Sequence, residues 1–110
     1  MALNTCVRWW RASGTGVARR VLALRAFSSV PHLLFAEEAL RVLPAAVEDG
    51  SAAVRVEAVF GVARLARHMR AGAVLQQLHG LLRVALRDAD AYVYGAALRA
   101  LERLHAAGAP

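Results

Sequence analysis

The 110-residue sequence contains no lysine and no isoleucine, and it has a single cysteine, three prolines and two tyrosines. Each shortage excludes something. One thiol, Cys6, cannot form an internal disulfide, so the chain is not a stapled secreted domain and suits a reducing compartment. With isoleucine absent and aromatics at 6%, strand formers are scarce, which argues against an all-β fold. No apolar run approaches the roughly 20 residues of a spanning helix. The longest uncharged stretches, 26–36 and 71–82, are interrupted by Pro31, His32 and His79. Arg8 and Arg11 likewise break any signal-peptide core.

Catalytic patterns are also missing. His32, His68, His79 and His105 show no H-x-x-x-H spacing, and Cys6 has no C-x-x-C partner. Metal ligation needs three or four convergent donors. Glu37 and Glu38 read as acids complementing a helix start rather than as a general acid–base pair. Gly14-Thr15-Gly16 lacks the remainder of a phosphate loop, and Ser13, Ser28, Ser29 and Ser51 have no His–Asp context. The sequence therefore predicts no enzyme, no cofactor and no metal.

What is present is alanine, leucine and arginine, a helix-forming mixture. Hydrophobic residues make up 58% and charged residues 20%, too apolar a balance for a disordered chain. The net charge of +6 is carried almost entirely by the first thirty residues. These hold Arg8, Arg11, Arg19, Arg20 and Arg25 and no acid, whereas nine arginines meet eight carboxylates from Pro31 onward. Such a segment has the composition of a mitochondrial presequence, and Arg25-Ala26-Phe27-Ser28-Ser29 looks like its cleavage site. Val17, Val21 and Leu24 give it only a weak apolar face, while Trp9 and Trp10 would suit a lipid interface. The organisation expected is a basic, flexible or partly helical arm or targeting segment over 1–30, then a folded part over 31–110. Nucleic acid is not an expected partner, because the basic footprint is short and poor in aromatics.

The folded part repeats. Asp49, Val54 and Ala58 recur 39 residues later as Asp88, Val93 and Ala97. At the same offset Val59 meets Leu98, Val62 meets Leu101, Arg64 meets Arg103 and Leu65 meets Leu104. Each copy, 31–70 and 71–110, reads as two helices joined by a tight turn. Helices are expected over about 31–47 and 52–69, then one marked by Leu75 to Leu86 and a last one marked by Val93 to Leu104 that ends near Gly108, with Ser29 capping the first, Pro44 kinking or ending it early, and Ser51 capping the second. Ala71-Gly72 stops the second helix, and Asp88-Ala89-Asp90 supplies the last turn and cap. The fold class is all-α: two antiparallel helix pairs in a short α-solenoid.

A period near forty, paired helices and an Asp turn before Val54-Arg55 resemble the HEAT repeat. The resemblance implies that the turn Asp and the Arg six residues later form a ladder between stacked repeats. Asp49 and Arg55 fit both places; the second copy keeps Asp88 but has Tyr94 in the Arg place, so the ladder ends there. The segment from Asp88 to Tyr94 more narrowly resembles the C-terminal HEAT region of the transport and Golgi organization protein 6 family, which includes a factor for nuclear import of RNA polymerase II. Gly95 and Ala96, where that family has Leu and a polar residue, depart from it.

The function expected is a protein–protein scaffold, cytoplasmic and tied to transport, Golgi organisation or polymerase import; the alternative is a mitochondrial matrix repeat protein. Arg55, Arg64, Arg67, Tyr94, Arg99 and Arg103 on the second helices are the candidate partner-binding residues. Two repeats bury an incomplete core, so self-association or docking on a longer repeat protein is also expected.

Overall fold

The computed structural model describes residues 16–28, 40–67 and 72–106. Expectations resting on Cys6, Trp9, Trp10, Ser29, Pro31, Glu37, Glu38 and His68 lie outside them. Five helices form the described part: α1 (Val17–Ser28), α2 (Leu43–Ala46), α3 (Ala52–Arg67), α4 (Ala73–Ala85) and α5 (Ala91–Ala106). There is no strand among the described residues.

The two turns are built alike because the same residue type stands at each. Asp49 Oδ1 accepts the Ser51 N–H at 2.9 Å, and Asp88 Oδ1 accepts the Asp90 N–H at 2.9 Å. An aspartate that bonds the backbone two residues on fixes the chain reversal. In the second turn Asp90 then caps α5, taking the N–H groups of Tyr92 at 2.8 Å and Val93 at 3.2 Å. Ser51 stands where the expected cap stands, its carbonyl accepting the Arg55 N–H at 3.1 Å. Gly72, with φ of 120°, turns the chain into α4 through a conformation that disfavours side chains.

Pro44 stands in the first turn of the single-turn helix α2, and residues 31–39 of the helix expected ahead of it lie outside the described residues. The first helical turn has no use for the missing N–H, so proline fits there.

α3 lies at the centre, packed against every other helix. Two apolar stripes run along it. Val54, Ala58 and Gly61 form the first; a Cβ on Gly61 would sit 3.6 Å from Leu43 Cδ2, so this stripe faces α2. Val59, Val62 and Ala66 form the second, on the side from which Arg55 reaches the following turn. Both stripes are buried, and they meet Leu75, Leu78, Leu82, Val93 and Ala97 in one continuous core. Burial of each valine contributes about 1.5–3 kcal/mol.

The basic segment ahead of residue 30 is not wholly a free arm. α1 packs against α3, and Ala23 and Leu24 are fully buried. Its acid-free composition conceals this, because only one narrow stripe of the helix is apolar.

Candidate functional site

The first constellation is a ladder of charges across the turns. Arg55 Nε and Nη2 meet Asp88 Oδ2 and Oδ1 at 2.7 and 3.2 Å, a bidentate pair, while Nη1 donates to the Asp49 carbonyl at 2.7 Å. One repeat earlier, Arg20 Nε lies 2.8 Å from Asp49 Oδ2 and Nη2 donates to Asp49 Oδ1 at 3.1 Å. Each arginine sits on one helix and grips the turn aspartate of the next pair. Sequence reasoning missed Arg20. The available signal was that Arg20 and Leu24 stand 35 residues ahead of Arg55 and Val59.

The pairs are partly dry, with side-chain exposures of 19% for Arg55 and 9% for Asp88. Burial alone pushes the Asp88 carboxyl up. The Arg55 hydrogen bond, the Asp90 N–H and the Arg55 charge outweigh it and hold the group below the usual carboxylate value.

Arg55 is therefore corrected as a partner-binding candidate: its donors are committed to Asp88 and Asp49 inside the fold. Tyr94 is exposed but lies on the α5 stripe that corresponds to Arg55. Arg64 and Arg67 on α3 and Arg99 and Arg103 on α5 are all exposed. By the 39-residue offset, Arg99 and Arg103 occupy on α5 the places of Phe60 and Arg64 on α3. With Phe60 at 43% exposure and Tyr92 at 78%, the two helices carry one arginine-rich, aromatic-bearing face.

A shallow groove of about 350 Å³ crosses α3 near its start, between Val21 and Arg25 of α1 and Asp90 and Tyr92 of α5. Its polar groups serve the fold: Arg25 donates to Glu57 Oε1 at 3.1 Å, and Asp90 caps α5. Elsewhere His79 of α4 is buried, with no hydrogen-bond partner for Nε2 among the described residues. Burial, then Arg83 and His105, lower its pKa from the ordinary 6.5. Among the described residues no group of three or more His, Cys, Asp or Glu could hold a metal, and no helix is long and apolar enough to cross a membrane.

Stacked helix pairs bound by an Arg–Asp ladder define a helical-repeat protein of HEAT type. More particularly, the chain belongs to the non-SMC mitotic condensation complex subunit 1 (Cnd1) family, whose model matches residues 19–109. That match begins within α1 and so takes in the helix that composition assigns to the arm. Comparisons with curated proteins and with solved structures return no match.

Proposed function

We propose that this chain is a non-enzymatic scaffold that binds an acidic protein surface through the exposed face of α3 and α5, and so joins an assembly of the mitotic condensation-complex kind. The observation that supports this most is the shared placement of Arg64, Arg67, Arg99 and Arg103 beside Phe60 and Tyr92. Arginine and aromatic side chains are the residues that most often anchor interfaces. A surplus of like charge also selects an oppositely charged partner and speeds encounter. The family supplies the kind of assembly.

The test is purification of the tagged full chain from cells alongside a variant carrying Arg64→Glu, Arg67→Glu, Arg99→Glu and Arg103→Glu. Condensation-complex subunits are expected with the native chain, eluting as salt rises, and absent with the variant while its helicity is unchanged. An identical set of proteins with both chains would overturn the proposal.

The transport, Golgi or polymerase-import reading rests on the Asp88–Tyr94 segment, and recovery of transport factors in its place would favour it. The matrix reading rests on Arg25–Ser29. Cleavage near Phe27 would remove buried Leu24 and the Arg20–Asp49 pair from the fold.

A further inference from the structure

Two stripes at helical spacing run along neighbouring helices. Ala53, Glu57, Phe60, Arg64 and Arg67 follow one another on α3 at steps of four, three, four and three; Tyr92, Ala96, Arg99 and Arg103 do so on α5 at steps of four, three and four. By the 39-residue offset Tyr92 corresponds to Ala53, Arg99 to Phe60 and Arg103 to Arg64. α3 is packed against α1, α2, α4 and α5, yet Ala53, Phe60, Arg64 and Arg67 stay exposed. This face therefore lies in the middle of the packing and not at an edge of it.

Its character changes along its length. Toward the helix starts lies the groove of about 350 Å³ lined by Val21, Ala53, Val56 and Tyr92. The charges there are engaged: Glu57 takes the Arg25 guanidinium at 3.1 Å, and Asp90 takes the Tyr92 and Val93 N–H groups. Toward the helix ends, no side-chain hydrogen bond or ion pair engages Arg64, Arg67, Arg99 or Arg103 among the described residues. Glu102 is the acid nearest them in sequence, so four cations against one carboxylate leave a surplus of three.

We propose that this face takes an extended segment of a partner protein that carries one large apolar side chain and, three to five residues from it, a cluster of Asp or Glu. The apolar side chain enters the groove, the backbone crosses Phe60, and the carboxylates meet the four arginines. At about 1.5 Å per helical residue, Arg99 and Arg103 lie about 10 and 16 Å beyond Tyr92, and Arg64 and Arg67 about 12 and 16 Å beyond Val56. An extended chain covers that span in three to five residues, at about 3.3–3.6 Å each. A docked helix would need a continued apolar stripe, and here a single groove gives way to cations. The inference rests on the reading of the α3–α5 arginines as a surface for an acidic protein, and it adds the apolar anchor and the spacing.

The test uses the full chain and dye-labelled peptides in about 0.15 M salt, where weak charge contacts are screened. Each peptide has one leucine, a Gly-Ser spacer and three aspartates at the third to fifth positions from the leucine, and is made in both chain directions. Fluorescence anisotropy reads the affinity. One direction is expected to bind, and serine in place of the leucine should weaken it about tenfold. Aspartates placed directly beside the leucine, facing Glu57 and Asp90, should bind about fivefold more weakly. Ala53→Gln, a neutral change that fills the groove and keeps a helix former, should weaken the leucine peptide about fivefold and leave the serine peptide unchanged. No binding, or equal affinity for the leucine and serine peptides, would overturn the proposal. So would tightest binding with the aspartates seven or more positions away, which marks a helix, or tighter binding of a duplex DNA fragment, which marks a phosphate surface. If the native chain recovers condensation-complex subunits through its arginines while every peptide fails, only this inference falls. If the peptides bind but the arginine variant recovers the same proteins as the native chain, the preceding one falls.

Discussion

Arg55 joins Asp88 across two helix pairs, with Nε 2.7 Å from Oδ2 and Nη2 3.2 Å from Oδ1. The same guanidinium holds the Asp49 carbonyl at 2.7 Å, so one side chain fixes both turns. Arg55→Ala should cost about 2–3 kcal/mol, because it leaves a half-buried carboxylate and a carbonyl without their donor. Urea unfolding of the single variants Arg55→Ala and Asp88→Ala and of the double variant should give a coupling of at least about 1 kcal/mol. Additive losses would show that the two residues act separately.

α1 carries a second expectation. Leu24 is 1% exposed, and Leu24→Ala should lower stability by about 2–4 kcal/mol, a typical cost for emptying a buried leucine site. Were the helix a detachable leader, the substitution would leave the melting curve unchanged. Calorimetric melting of the full chain decides between them.

Acid should loosen the packing of α4 on α5. Burial, Arg83 and His105 disfavour the charged form of His79, so its pKa in the fold lies below 6.5. A depressed folded value means that the unfolded chain binds the proton more readily. The stability is then present above pH 6.5 and declines as pH falls below it. His79→Leu should remove that decline, seen as a smaller drop in Tm between pH 7.5 and pH 5.5 than the native chain shows. Asp88, whose carboxyl lies below the usual 3.8, keeps its contribution until more acid conditions.

Gly95 lies inside α5 with open space where a Cβ would project. Gly95→Ala should therefore stabilise the protein by about 0.5–1 kcal/mol, read as a higher urea midpoint with an unchanged slope.

The repeat is legible in the sequence because its markers are rigid in spacing. Asp49 and Asp88 make the same turn, and the valines after them enter the same core. α1 is less legible for a physical reason. Its spacing to α3 is 35 residues against 39 for the next step, and Arg19 and Arg25 stand on its exposed sides. Among the candidate site residues, spacing alone places Arg64, Arg67, Arg99 and Arg103 on exposed ground. It does not separate Arg55 from them, since the carboxylate that absorbs Arg55 lies 33 residues away.

The ladder also gives the stack a sense of direction. Arg20 and Arg55 each reach toward the turn that follows, so the cation always lies on the upstream pair and the anion on the downstream one. At either of these two junctions an inverted pair would set arginine against arginine, with no carboxylate between them. Charge order thus fixes the orientation of the helix pairs inside the chain, and that selection lapses at α5, where Tyr94 stands in the arginine place.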